Sequence, residues 1–552
     1  MKKPNSLFKS ALLTVVILTC QAATAAETTI SGQEITTQGP VSPQLDGGDT
    51  LIVAPSGSIT TSAYNTYGID SLGPSNTIIN SGSIGTIGRV SAGIHAGGNT
   101  NIIVNSGHIS TTGDLAHGIW VERDSNSISN TGSINVSGSY SAGIYVRGDN
   151  NIVSNSGSII SRNGFAVAFT GSNNTLNILN NFLSGNINLD ASGIANITTG
   201  ANYSKLYSFE GTNIILAGSG PVPLFTNLST QQVATYDPTI FASSSDALAD
   251  MTSTISSLAP GRFNGTDRTH PVWVKGFGMK SSYAATNATL ERNYSFSGVA
   301  IGYDIQQSKD LTFGMLGGYG QTSLSADGRT AQSFSNTSDG GFIGLYGQKR
   351  WKDVAVDVAL NGGSQSFQQQ RYVNDNLAYL GNSSVNSSYQ GLWLSPEIGV
   401  TVKAGELNGW SFFPTARLRY AQQWLGAYGE SGGGAANANV NGRSVGIGQS
   451  FIGIGTRKTM QTSLGKDTKM VLEGQVGYMY RGVVGDNTAR VTMIGQSLSL
   501  PSEMASRNAV VASAGVTLEL SSSVALKVRG DFATGGGMNY GGGGWAGLNI
   551  KF

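Results

Sequence analysis

Ser56-Gly57-Ser58-Ile59 returns as Ser81-Gly82-Ser83-Ile84, Ser106-Gly107-His108-Ile109, Thr131-Gly132-Ser133-Ile134 and Ser156-Gly157-Ser158-Ile159. The isoleucines lie 25 residues apart at every step (84−59, 109−84, 134−109 and 159−134). Two further tracks keep the same period. One is Gly68-Ile69, Gly93-Ile94, Gly118-Ile119 and Gly143-Ile144; the other is Asn80, Asn105, Asn130 and Asn155. Each repeat holds short apolar-alternating runs, such as Asn101-Ile102-Ile103-Val104, separated by Gly, Asn and Ser, and none has helical periodicity. One such unit cannot bury its apolar face alone, so the units must stack. This predicts a right-handed parallel β-helix with three short strands per coil, Ile and Val inside, and stacked Asn ladders at the turns. At about 4.8 Å per coil, five recognisable coils make a stub of roughly 25 Å. The pattern blurs after Phe169, although Leu176, Ile178, Ile187, Leu189, Ile194 and Ile197 are candidates for further coils.

The N-terminus reads as a secretory signal over 1–26. Lys2, Lys3 and Lys9 precede a short apolar run from Ala11 to Thr19, and Ala22-Ala23-Thr24-Ala25-Ala26 offers small residues for cleavage after Ala26 or one residue earlier. An apolar run this short does not span a bilayer as a helix. The only cysteine, Cys20, lies within the signal. Leu18-Thr19-Cys20 is similar to a lipoprotein box, but Thr19 stands where a smaller residue is wanted. A mature chain without cysteine suits one that crosses a second membrane unfolded, and equally a large β-protein that needs no staples.

Net charge excludes a global basic field: the chain carries +1, and residues 27–240 hold 12 acidic and 5 basic residues, −7 in all. A sparsely charged, mildly acidic surface argues against nucleic acid as a partner. Residues 242–260 predict the one helix, within a linker over 241–270. Ser245 and Asp246 are its candidate caps, Leu248, Met251, Ile255 and Leu258 its apolar stripe, and Pro260 its stop. A helix between a β-helix and a barrel is read as a plug threading the lumen, with an ordinary surface helix as the alternative.

Beyond residue 271 the pattern changes to long alternating runs. In 524–532, Val524, Leu526, Val528 and Phe532 share one face, while Lys527, Arg529 and Asp531 share the other. Similar alternation marks 353–360, 470–480 and 510–520. Three inward charges in a row would be costly in the dry core of a soluble sandwich, whereas a water-filled lumen tolerates them. Twelve such runs occur, near 272–279, 294–304, 310–320, 338–348, 353–366, 388–400, 410–424, 446–458, 468–480, 508–520, 523–533 and 544–552. The expected fold class is therefore all-β, a twelve-stranded transmembrane barrel with a lumen helix, preceded by a parallel β-helix.

Val272-Trp273-Val274-Lys275-Gly276-Phe277-Gly278 resembles the first strand of the autotransporter (type V secretion) β-domain, and Gly298-Val299-Ala300-Ile301-Gly302-Tyr303-Asp304 resembles its second. Gly317-Gly318-Tyr319-Gly320, Gly344-Leu345-Tyr346-Gly347 and the terminal aromatic Phe552 extend the resemblance over roughly 271–552. It implies a barrel in the outer-membrane bilayer, inserted by the barrel-assembly machinery with Phe552 as assembly signal. It also implies that 27–240 is an exported passenger on the cell surface.

No catalytic, cofactor-binding or metal site is legible. Gly442-Arg443-Ser444-Val445-Gly446 has the nucleophile-elbow spacing but leads into a barrel strand. His95, His108 and His117 occupy different repeat phases, without metal-like pairing to Cys or carboxylates. Arg147-Gly148-Asp149 could be an integrin ligand, but equivalent turns carry Gly97-Gly98-Asn99 and Glu122-Arg123-Asp124, which is ordinary turn chemistry. A second copy, Arg529-Gly530-Asp531, lies within a predicted barrel strand. The leading expectation is a non-enzymatic passenger, an adhesin or aggregation factor for a host or bacterial surface ligand. The alternatives are a secreted hydrolase with an unrecognised site, and a channel with a vestigial cap.

Overall fold

The computed structural model describes residues 26–32, 34–37, 43–179, 182–200, 204–259, 271–308, 310–327, 333–462, 468–486, 488–500, 507–521 and 523–550. The predicted signal up to residue 25, Pro260 and Phe552 lie outside them.

The repeats stack as predicted. Ile102–Asn105 lies parallel to Thr77–Asn80 on one side and Ser127–Asn130 on the other, each step shifted by 25 residues. His108–Thr111 and Ile119–Val121 stack on their counterparts in the same way, giving three strands per rung. The interior is a column of branched side chains: Ile59, Ile84, Ile109, Ile134 and Ile159 are all fully buried. Burial of one such side chain contributes roughly 1.5–3 kcal/mol, so the column dominates the stability of the stack. The glycine track has a steric cause. A Cβ on Gly118 would lie 2.5 Å from the carbonyl oxygen of Gly143 and 2.4 Å from the Ile134 side chain.

The stack is longer than expected. Nine strands follow one another along the first track, from Glu27–Ile30 to Ile215–Ser219, about 38 Å at 4.8 Å per rung. The outer rungs depart from the 25-residue period. Register pairs give steps of 50−27 = 23 and 77−50 = 27 at the start, and 175−152 = 23, 194−175 = 19 and 215−194 = 21 at the end. Leu176, Ile178, Ile187, Leu189 and Ile197 are buried in these later rungs, whereas Ile194 is only partly so.

After the stack, Lys205–Thr212, Phe225–Asn227 and Gln232–Thr235 form a small antiparallel sheet with Gln232–Thr235 in the middle. We call it the base. Next comes α1 (Thr239–Ser257). Twelve barrel strands follow: β1 (Val272–Tyr283), β2 (Arg292–Ser308), β3 (Leu311–Asp327), β4 (Ser333–Trp351), β5 (Val354–Asp375), β6 (Asn382–Val402), β7 (Trp410–Leu425), β8 (Arg443–Gln461), β9 (Lys469–Val483), β10 (Arg507–Glu519), β11 (Val524–Gly535) and β12 (Met538–Ile550). Each pairs antiparallel with the next, and β12 returns to β1 through Ile550↔Val272 and its neighbours, closing the barrel. Closure leaves no sheet edge, which is what a strand protein needs in lipid.

Outward positions carry an exposed apolar belt, including Val299, Ile301, Ile343, Leu345, Ile452 and Val476. Exposed aromatics flank it: Tyr303, Phe313 and Trp351 towards one rim, and Trp424, Tyr480 and Phe532 towards the other. This is the apolar band with aromatic girdles of a membrane barrel. The wall is uneven, since β5 and β6 have 22 and 21 residues while β1 and β11 have 12 each. A membrane strand needs about 9–11, so β5 and β6 continue well above the bilayer.

Candidate functional site: the barrel lumen and its mouth

The helix begins three residues before the predicted start at 242. Pro238 precedes Thr239 with φ −77°, already close to the helical value. The Thr239 backbone N–H is received by Asp237 Oδ1 at 2.9 Å. Ser245 and Asp246 are therefore not caps. They lie inside the helix, both buried, and Asp246 is spent on the barrel wall. A cap and a long-range ion pair draw on the same residue types, so the sequence alone favoured the local role.

Two carboxylates one turn apart clamp α1 to the wall. Asp246 Oδ1 receives Arg507 Nε at 2.8 Å, and its Oδ2 receives Arg507 Nη2 at 3.1 Å and Arg292 Nη2 at 2.5 Å. Asp250 receives Arg481 Nη1 at 2.5 Å, and the hydroxyls of Ser281 and Tyr283 at 2.6 Å each. These partners come from β1, β2, β9 and β10, so the helix ties together strands that are far apart in sequence. The predicted stripe of Leu248, Met251, Ile255 and Leu258 is buried among barrel side chains that include Trp273, Phe296 and Phe342. The lumen reading therefore holds, and the surface-helix alternative does not.

At the lower end, Ser256 donates to Glu397 Oε2 at 2.5 Å, and Arg419 and Arg417 flank the same carboxylate. The Lys275 ammonium donates to the carbonyl of Leu258. A cation there complements the negative end of the helix dipole. The same ammonium sits 3.6 Å from the Trp545 ring centroid. The helix does not fill the barrel. A cavity of about 160 Å³ runs beside it, lined by Ser253, Ser257, Gln475, Arg529 and Asp531 among others. Two of the three inward charges predicted on β11, Arg529 and Asp531, face this space, with Arg529 Nε 2.9 Å from Asp531 Oδ1.

The mouth is roofed. Tyr428–Gly429, Asn439–Val440, Ala489–Met493 and Gln496–Leu500 form a separate four-stranded sheet from two barrel loops. Under it Arg371 pairs with Glu430 through two bonds of 2.7 and 2.5 Å, and its guanidinium lies 4.5 Å from the Tyr236 ring centroid.

On the passenger, the outward side of the third strand track brings Asp70, His95, Trp120 and Tyr145 into one column. Tyr67 stacks on His95 with centroids 4.4 Å apart, His95 lies 4.8 Å from Trp120, and His117 stacks on Tyr145 at 4.6 Å. His95 Nδ1 is 2.7 Å from Asp70 Oδ1, and its Nε2 is 3.8 Å from Glu122. The histidines were expected to lack metal-like pairing, and these two carboxylate neighbours of His95 were not foreseen. The signal was in the sequence, because 95−70 = 25 is one repeat. Among the described residues no three His, Cys, Asp or Glu side chains are grouped to hold a metal. Burial together with Asp70 and Glu122 pushes the Tyr67 phenol up to about 12, and burial lowers the His117 imidazole to about 4. Neutral His117 then accepts the Ala142 N–H at Nδ1, 2.9 Å away.

The other sequence candidates fall as follows. Asp149 of Arg147-Gly148-Asp149 accepts the Ser172 N–H at 2.6 Å, and its own N–H goes to Asp124 at 2.8 Å, so it links turns between rungs. Gly442-Arg443-Ser444-Val445-Gly446 leads into β8, as expected of a chance match. Ala26 adjoins the first strand, its carbonyl accepting from Thr50 N–H at 2.8 Å.

The sequence matches the autotransporter β-domain family over residues 272–531. Similar solved structures include the translocator domain of the autotransporter NalP from Neisseria meningitidis, at 16% identity and TM-score 0.43, covering 57% of this chain and 99% of that one. The transport unit of the autotransporter AIDA-I from Escherichia coli has 16% identity and TM-score 0.39, with 57% and 100% covered. The β-domain of the Bordetella autotransporter BrkA has 14% identity and TM-score 0.38, with 51% and 99% covered. No curated protein sequence matches the chain. The family match falls on the closed barrel that holds α1, and the C-terminal half of this chain is an autotransporter β-domain, an outer-membrane barrel serving the secretion of the passenger that precedes it.

Proposed function

We propose that the passenger is a non-catalytic adhesin or aggregation factor held at the cell surface by its own barrel. The observation that carries this reading is the outward column around Trp120. The neighbouring outward positions of the repeats are mostly Ser, Thr, Asn and Gly, yet here Tyr67, His95, Trp120 and Tyr145 gather on successive rungs. The partly exposed rings of Tyr67, Trp120 and Tyr145, packed around buried His95, supply contact area at low entropic cost. A regular solenoid presents them on a rigid, extended face. Insertion by the barrel-assembly machinery, with Phe552 as its signal, belongs to the same reading.

The test is expression of the chain in a non-clumping host, scoring aggregation and adherence. Deletion of 56–170, or Trp120→Ala with display verified by antibody, should lower both several-fold. Unchanged adhesion in both variants would refute the reading. A second reading has one observation in its favour, the Asp70–His95 pair, which has the form of an oriented general base. His95 Nε2 has no hydrogen-bonding hydroxyl or thiol among the described residues, so this hydrolase reading lacks a nucleophile. Ester or peptide hydrolysis by displayed passenger that is lost in His95→Gln would support it.

A further inference from the structure

We propose that the passenger base and the barrel mouth form a non-covalent lock, so that a cut in the chain between them leaves the passenger on the cell. The lock has three parts. First, the base strand Lys205–Thr212 extends the top of β5, pairing in parallel through Lys205↔Asn374 and Leu206↔Asp375. Only the part of β5 above the bilayer is available for this, which gives the uneven wall a use.

Second, two barrel asparagines spend their amides on the passenger. Asn374 Oδ1 accepts the Tyr207 hydroxyl at 2.6 Å and the Leu183 N–H at 3.0 Å, while its Nδ2 donates to the Leu183 carbonyl at 2.8 Å. Asn376 Oδ1 accepts the Ser208 N–H at 2.9 Å, and its Nδ2 reaches the Gly185 carbonyl at 3.1 Å. Asn374 is buried, so parting the two halves takes both passenger partners from its Oδ1, while its Nδ2 keeps only the Gly381 carbonyl.

Third, one apolar core is shared. Leu206, Val222 and Phe225 of the base are buried in the same cluster as Val440, Val491 and Leu500 of the loop sheet. At its edge the Thr226 N–H donates to Gln496 Oε1 at 2.6 Å, and Asn227 Nδ2 donates to the Ile494 carbonyl at 2.9 Å. Every contact named here joins residues 183–227 to residues 373–500. None depends on the covalent connection through residues 228–238.

The turn between Asn227 and Gln232 is the place to cut, since Leu228 is 72% exposed. A recognition sequence for a site-specific protease is inserted between Ser229 and Thr230 of the full chain, and intact cells are treated and washed. The cut passenger should stay with the cells in physiological buffer and appear in the supernatant only after a urea wash. Asn374→Ala together with Phe225→Ala, displayed normally before cutting, should raise the fraction shed in buffer at least tenfold. Release of the cut wild-type passenger into buffer would overturn the proposal. Should the first insertion prevent display, the site is moved within the same exposed turn to between Leu228 and Ser229, and the same two outcomes decide. The proposal does not depend on what the passenger binds, so its failure and that of the adhesive reading are separately visible.

Discussion

Replacing Asp246 with Asn should loosen the plug in the lumen, and the size of the effect follows from its partners. The carboxylate accepts three hydrogen bonds from two guanidiniums, and its side chain is 2% exposed. Asn keeps nearly the same shape but supplies one acceptor oxygen instead of two and removes the negative charge. Arg292 and Arg507 would then be buried without a counter-charge from the helix. Breaking a buried pair by removing one partner costs about 3–5 kcal/mol. Each 1.4 kcal/mol is a factor of ten, so the equilibrium between seated and unseated helix should shift by roughly a hundred- to several-thousand-fold. Asp250, one turn on, still holds Arg481, so the helix should unseat transiently rather than leave. Single-channel recording of the full chain in planar bilayers reads this directly. The wild type should show only small steps through the cavity beside the helix, while Asp246→Asn should add bursts of larger conductance. Asp246→Asn with Asp250→Asn should make those bursts dominant. If the double variant folds, judged by heat-modifiable migration on gels, and conducts like the wild type, the clamp reasoning is wrong.

Three further outcomes are expected. Asn130 accepts from Asn105 Nδ2 at 2.7 Å and donates to Asn155 Oδ1 at 2.6 Å; Asn130→Ala orphans two buried groups and should destabilise the central rungs by about 2–6 kcal/mol, measured by urea-dependent proteolysis, and a loss under about 0.5 kcal/mol would contradict the ladder. Gly118→Val drives side-chain atoms into the Gly143 carbonyl and Ile134 and should abolish protease resistance of the passenger while leaving the barrel intact. The pH dependence turns on His117, whose folded value near 4 lies below its ordinary 6.5 because burial disfavours the cation. Its stabilisation is complete above pH 6.5 and is lost as pH falls through 4, up to about 3 kcal/mol. Wild-type passenger should therefore lose more stability between pH 7 and pH 4 than His117→Phe, and equal losses in thermal melts would refute the assignment.

The barrel was legible because lipid and lumen impose opposite demands on alternate residues, as Val528 and Arg529 show. Strand ends were less so. The upper part of β5, Gln368-Gln369-Gln370-Arg371, is polar on both faces because it stands in water. The same medium hid the extra length of β6. The inner rungs were legible from their fixed period. The outer ones, with steps of 19 to 27, were not, since turn length varies freely where the next rung needs only a parallel neighbour. A second asparagine column, Asn76, Asn101, Asn126 and Asn151, shares the 25-residue spacing and was missed although it was visible. The Oδ1 atoms of Asn101, Asn126 and Asn151 each accept the backbone N–H of the asparagine one rung before, and Asn76 Oδ1 accepts that of Asp49. The lock at the mouth could not have been read at all, because Asn374 and Tyr207 are 167 residues apart and share no periodicity.

The inner asparagine ladder has a direction. Asn80 gives its amide proton to Asn105, Asn105 to Asn130, and Asn130 to Asn155. Asn105 and Asn130 therefore each show an acceptor towards the N-terminal side and a donor towards the barrel. On its outward, N-terminal face a finished rung presents a waiting carbonyl, and an incoming rung must meet it with N–H₂. The stack thus has two unlike ends, as an actin filament does. Growth outward from the barrel adds donors to fixed acceptors, and a detached stretch of rungs docked upside down would set acceptor against acceptor. The secreted piece carries in its asparagines a polarity mark that states which way is out.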